Sequence, residues 1–132
     1  MIRFRKGYRA DMGTDIVLNK IVEIKPGTQV IDLDVTLNVR ANDVAFLVGR
    51  TSTSRAGLIV HQCIIDPHYC GSIHAIVTNT TNRIIKLEPG DAFCSVVYCK
   101  GIKFHRRNTK PEIKKAGRRT TSIFGGTGNG CQ

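Results

Sequence analysis

One short stretch concentrates the reactive chemistry of this chain: Ile65-Asp66-Pro67-His68-Tyr69-Cys70-Gly71. An acidic residue stands between the apolar run Cys63-Ile64-Ile65 and a turn. Pro67 fixes its own φ and pushes Asp66 toward an extended backbone. Gly71 is the expected point of backbone reversal. Asp66 and Tyr69 are therefore expected on a short loop between two strands. A carboxylate held on a β scaffold beside an aromatic ring can act as a general base beside a stacking platform. The same residues also read as an Asx-type turn with a hairpin tyrosine. A second stretch, Ile123-Phe124-Gly125-Gly126-Thr127-Gly128-Asn129-Gly130, carries too many glycines to supply a core. It reads either as a flexible C-terminus or as an arm whose N–H groups wrap phosphates, with Phe124 favouring the second. His61, His68, His74 and His105 show no zinc-ligand spacing.

The elements that must position these residues are strands. The chain has 132 residues, enough for one core, and 41% of them are hydrophobic. There is no Trp and few aromatics, so burial falls to Val, Ile and Leu, which favour strands. The clearest pattern runs from Ile31 to Val39, where Ile31, Leu33, Val35, Leu37 and Val39 alternate with polar residues as in a half-buried strand. Further strands are expected in residues 1–10, at Ile16 to Leu18, Ile21 to Ile24, Val44 to Val48, Leu58 to Val60, Ile73 to Val77, Ile84 to Leu87 and Phe93 to Tyr98. Turns are expected at Asp11 to Asp15, Lys25-Pro26-Gly27 and Pro89-Gly90-Asp91, with a polar loop or short helix from Gly49 to Gly57. This is an all-β pattern, a sandwich or barrel over residues 1–100, followed by a basic linker and glycine-rich arm over residues 101–132.

The formal charge is +10, so polyanions are the expected partners. Lys103 to Arg119 holds eight Lys or Arg in seventeen positions, which reads as a solvated tail or as a weak, non-specific nucleic-acid contact. Five cysteines without CxxC spacing point to reduced thiols and a cytoplasmic, or otherwise intracellular, setting. No apolar run is long enough for a membrane span, and the N-terminus lacks a signal peptide's apolar stretch.

Five stretches, taken in order, resemble the five motifs of the trimeric dUTPase family: Met12-Gly13-Thr14-Asp15-Ile16, Gly49-Arg50-Thr51-Ser52, Ile64 through Gly71, Gly90-Asp91-Ala92-Phe93-Cys94-Ser95, and Arg119 through Gly128. The resemblance implies a jelly-roll barrel with a flexible C-terminal arm, assembled as a homotrimer whose sites are built from several subunits. It implies hydrolysis of dUTP, or a related deoxynucleoside triphosphate, to dUMP and pyrophosphate with Mg²⁺. Asp66 would be the base that activates water for attack on the α-phosphate. Tyr69 would pack under the deoxyribose, and Arg50, Thr51 and Ser52 would hold phosphate oxygens. Asp15 would support the metal indirectly, through water. Phe124 would close over the base, while Arg119, Gly126 and Thr127 would bind the terminal phosphates. His61 or Gln62 stands nearest the position of the base-reading residue.

The chain departs from the family's usual motifs at Ala92 for Arg, Ser95 for Gln, Thr51 for Ser and Ile64 for Gly. Related readings on the same fold are a non-catalytic or regulatory nucleotide binder and a dCTP deaminase. The deaminase reading meets Ile76 where those enzymes need a catalytic Glu. A nucleic-acid-binding module working through the basic segment is the third.

Overall fold

The computed structural model describes Phe4, Arg5, Gly7 and residues 12–101. Its strands are β1 (Phe4–Arg5), β2 (Gly13–Ile16), β3 (Val22–Ile24), β4 (Gly27–Asp32), β5 (Val44–Gly49), β6 (Leu58–Val60), β7 (Cys63–Ile65), β8 (His74–Asn79), β9 (Ile85–Leu87) and β10 (Cys94–Cys99). One short helix, α1 (Thr51–Arg55), interrupts them. The strands form a five-stranded sheet in the order β1-β2-β10-β5-β7, a three-stranded sheet β4-β8-β6, and the pair β3-β9. Every pairing is antiparallel. The inward faces meet in one core that includes Ile16, Leu18, Ile24, Leu33, Val39, Leu47, Leu58, Val77 and Phe93. No helix among the described residues is long and apolar enough to cross a membrane.

The all-β reading is borne out, but several local expectations shift. The alternation from Ile31 to Val39 survives as burial, with Leu33, Val35 and Val39 inside. It does not survive as one strand. β4 ends at Asp32, and Asp34 takes a positive φ of 54° that leaves the extended region. The Asp32 carboxylate accepts the Asp34 N–H at 2.8 Å, an Asx-type bond that competes with the ladder. The expected turn from Asp11 to Asp15 is instead largely β2, so the strand begins earlier than Ile16 and carries Asp15 within it. Of residues 1–10, the described strand is Phe4–Arg5.

Of the two readings for Gly49 to Gly57, the helix is the one adopted. Thr53 anchors it by donating its hydroxyl to the Phe93 carbonyl at 2.8 Å in the interior. The thiols divide: Cys63, Cys94 and Cys99 are free, whereas Cys70 is disulfide-bonded, which corrects the expectation of uniformly reduced thiols. Burial, aided by nearby Asp15, pushes the Cys94 thiol up to about 12, so it stays protonated and unreactive.

Candidate functional site

The register of the five-stranded sheet builds the first half of the site. Asp15 lies opposite Arg5 on one side and Ser95 on the other. Those two neighbours reach its carboxylate: the Ser95 hydroxyl donates to Oδ1 at 2.7 Å, and the Arg5 guanidinium stands 3.8 Å from Oδ2. Arg50 follows the last residue of β5 and comes in from the next strand over. Its Nε lies 3.2 Å from Asp15 Oδ1, and its Nη1 donates to the Ala92 carbonyl at 2.8 Å. The guanidinium is thus fixed at two points and cannot swing as a free surface arginine does.

Around this pair opens a cleft of about 570 Å³, lined by Met12, Gly13, Asp15, Arg50, Thr51, Ser52, Arg55 and Ser95, with Gly7 at its edge. Among the described residues, counting Arg5, three arginines face one aspartate there, a positive balance. Thr51 and Ser52 are exposed at its rim, on the first turn of α1. Cations and hydroxyl donors fixed in a concave surface suit a polyphosphate.

The second half is the loop after β7. The Tyr69 N–H donates to the Asp66 carbonyl at 3.2 Å, closing a turn over Pro67 and His68. His68 takes the positive φ, 63°, and donates its N–H to the Val39 carbonyl at 3.1 Å. The reversal expected at Gly71 is therefore made at His68. Gly71 is required for another reason: a Cβ there would stand 2.5 Å from the Tyr69 Oη and 2.8 Å from its Cζ. The Tyr69 ring folds back over this glycine and donates its hydroxyl to the Ser72 carbonyl at 2.9 Å. The ring packs against the core, half-buried, and Asp66 is half-buried beside it.

One chain does not bring the two halves together. β7 pairs with β5 so that Ile65 lies opposite Ala45, which sets Asp66 beside the start of β5. Arg50 follows the end of that strand. Six residues of extended chain separate the two levels, about 20 Å at the rise of a strand. His61 and Gln62 precede β7, at its other end from Asp66, and both are exposed. The His61 ring pairs with the Thr78 hydroxyl at 2.8 Å. Arg119, Phe124, Gly126 and Thr127 lie outside the described residues, as does the basic segment.

A family model described as dUTPase matches residues 2–128. The chain belongs to the dUTPase family. It is 31% identical over 102 residues to the Pol polyprotein of equine infectious anemia virus (strain Wyoming), covering 76% of this chain and 9% of the polyprotein. It is likewise 31% identical over 97 residues to the dUMP-forming dCTP deaminase of Dictyoglomus thermophilum, covering 71% of this chain and 48% of the enzyme. The chain therefore spans less than half of either relative. Among solved structures, the native EIAV dUTPase superposes with a TM-score of 0.70 at 26% identity, over 83% of this chain and 92% of that one. The phage phi11 dUTPase of S. aureus, whose structure shows coordination of a structural Mg(II) ion, superposes at 0.69 and 19% identity, over 83% and 90%. At that identity the phage protein speaks for the fold alone.

Within this dUTPase-family chain, the altered fourth motif still engages the site. Ala92 contributes its backbone carbonyl, which any residue would carry, and Ser95 contributes a short hydroxyl to Asp15. Neither contact can be read from the motif's residue types; the first follows from β10 lying beside β5 and the second from β10 lying beside β2. Ile76, at the deaminase position, is an apolar side chain on the outward face of β8, opposite Val30. No three potential metal ligands cluster among the described residues. Among the described residues Asp15 is the one carboxylate lining the cleft, and arginine and serine donors already occupy it. A single carboxylate already shared in this way does not make a protein cage for a hard cation, and fits one that arrives with phosphate and water ligands of its own.

Proposed function

We propose that the chain is a dUTP diphosphatase subunit that hydrolyses dUTP to dUMP and pyrophosphate, and that its active centre is completed between copies in a homotrimer. The placement of Asp66 and Arg50 at opposite ends of β5 carries the second half of this reading. A base some 20 Å from the phosphate-binding arginine is useless within one chain, given that reacting groups must approach to about 3 Å. A neighbouring copy that lays its Asp66 loop against the Arg50 cleft removes the difficulty.

In the assembled site, the triphosphate lies along the cleft. Arg50 and Arg55 offset its charge, and the Thr51 and Ser52 hydroxyls donate to its oxygens. Asp15 keeps Arg50 aimed and would hold Mg²⁺ indirectly, through water; bound with the triphosphate, the ion would neutralise charge on the phosphate oxygens. The partner copy's base then acts. Asp66 accepts a proton from water as the water oxygen attacks the α-phosphorus. The bond from that phosphorus to the β-phosphate's bridging oxygen breaks, and pyrophosphate leaves with the electron pair. Tyr69 packs its ring beneath the deoxyribose, where a 2′-hydroxyl would clash. Catalysis of this kind depends on position and charge rather than on covalent chemistry by the protein. Deamination would need a proton shuttle where the chain has Ile76.

The test is a panel of dUTP, dCTP, dTTP and UTP with Mg²⁺, followed by pyrophosphate release and product mass. The reading expects dUMP and pyrophosphate from dUTP. Ammonia from dCTP, or tight binding of one nucleotide with no turnover of any, would refute it.

A further inference from the structure

A second layer of contacts lies behind the Tyr69 loop, on residues that none of the five motifs includes. Asp32, at the end of β4, faces His74, the first residue of β8. The Ser72 hydroxyl donates to Asp32 Oδ1, the oxygen that also accepts the Asp34 N–H. His74 bridges the same two residues, with Nδ1 3.0 Å from the Ser72 carbonyl and Nε2 3.7 Å from Asp32 Oδ2. The Ser72 carbonyl is the acceptor for the Tyr69 hydroxyl. One step further on, Ile73 is tied to Val35 and Leu33 by backbone bonds of 2.8 and 2.9 Å. Ser72 is thus held by its hydroxyl, by its carbonyl and through its chain neighbour. The hydrogen bonds from Ser72 and Asp34 keep the Asp32 carboxyl below its ordinary range, so at neutral pH it remains an acceptor.

We propose that Asp32, Ser72 and His74 are positioning residues for Tyr69, and that through its ring they set how well the protein separates 2′-deoxynucleotides from ribonucleotides. The proposal rests on Tyr69 being the sugar-facing ring. The Tyr69 hydroxyl is used within its own loop, so what the residue offers a ligand is the ring. Gly71 packs against the tip of that ring. Its remaining freedom is to swing about its two side-chain torsions, and the hydrogen bond to Ser72 opposes this swing. A fixed ring meets a 2′-hydroxyl as a wall; a ring free to swing yields to it. The firmness of that wall therefore depends on Asp32, which lies outside the loop and acts through Ser72.

The experiment reads two quantities in the full chain. The first is the set of Tyr69 ring resonances in nucleotide-free protein, with Tyr98 as internal reference because it has its own partners in Arg40 and Asp43. The second is the ratio of kcat/KM for dUTP over UTP. Asp32→Ala and Ser72→Ala should each shift the Tyr69 resonances, leave those of Tyr98 in place, and lower the ratio by about fivefold, the worth of one ordinary hydrogen bond. Asp32→Asn keeps an oxygen acceptor for Ser72 and should restore most of the ratio. The double variant Asp32→Ala/Ser72→Ala should fall no further than Asp32→Ala alone, because that change already removes the bond from Ser72. Unmoved Tyr69 resonances overturn the proposal. So does a parallel loss of activity toward both nucleotides with the ratio intact, which would mark a purely structural role. Resonances that respond as expected in a protein whose wild type does not prefer dUTP would overturn the sugar-facing reading of Tyr69 instead.

Discussion

Replacing Ser95 by Ala should reveal whether the altered fourth motif is a working part of the site. The hydroxyl is buried and donates to a carboxylate that is itself 17% exposed. A hydrogen bond to a charged group contributes about 1.5–3 kcal/mol, and the partial exposure of Asp15 points to the lower end, about 1.5–2 kcal/mol. For a domain of this size that loss lowers Tm by about 6–8 °C. The catalytic effect runs through Arg50. Without Ser95, Asp15 Oδ1 keeps the guanidinium at 3.2 Å as its remaining close partner, and the carboxylate can turn with it. A loosened phosphate-binding arginine should cost about tenfold in kcat/KM, since small misplacements near the reacting atoms are expensive.

Ser95→Thr restores the hydroxyl and should recover both quantities. Ser95→Gln brings in the family's usual residue, but its amide sits too far along the side chain to reproduce a 2.7 Å contact from the same backbone. It should behave like Ala. Thermal melts and pyrophosphate release on the four proteins decide the matter. An unaltered Tm and activity in Ser95→Ala, or a Gln variant more active than the wild type, would refute the reasoning.

Two other outcomes are expected. Gly71→Ala forces the Tyr69 ring from its place, since the new Cβ would stand 2.5 Å from Oη. Gly71 does not use a positive φ, so the gain of about 0.4–1 kcal/mol from a stiffer unfolded chain offsets the lost hydrogen bond of about 1 kcal/mol. Melts should therefore be nearly unchanged while dUTP-over-UTP selectivity falls; a large drop in Tm with selectivity intact would contradict this. The carboxyls of Asp32 and Asp43 are both held below their ordinary value of 3.8, by hydrogen bonds from Ser72 and Asp34 and from Gly101 and Tyr98. Lowered folded values contribute stability above about pH 4 that is lost as pH falls through them. Melts from pH 6 to pH 3 should show that loss, and Asp32→Asn should flatten it; an identical pH dependence in the variant would count against the assignment.

Much of the architecture could be read from residue types, because burial alternates along strands such as β3, β5 and β8. The stretch from Ile31 to Val39 shows the limit of that reading. Its side chains alternate as expected, yet the ladder stops at Asp32, because the competing bond from Asp32 to the Asp34 backbone is a local event invisible to the apolar pattern. The order of the five motifs was legible, and so was the family. What each motif contributes was not, because it depends on which strands lie side by side. Asp15 and Ser95 are eighty positions apart and become neighbours only through the β2–β10 register. Asp66 and Arg50 are much closer in sequence, yet β5 holds them apart. Glycine at position 71 was legible as special, but its reason, the ring of Tyr69, is a tertiary contact.

In the proposed homotrimer, Asp66 and Arg50 act in one site but come from different copies. Mixing two inactive variants tests it most directly. Asp66→Asn should fold, bind nucleotide and lose turnover by about 10² or more, the scale of a positioned general base. Arg50→Ala should lose turnover through phosphate binding. Refolded together in equal amounts, the two should regain about a quarter of wild-type activity, the fraction of shared sites that draw an intact Asp66 and an intact Arg50 by chance. Activity no higher in the mixture than in either variant alone would contradict a site divided between copies.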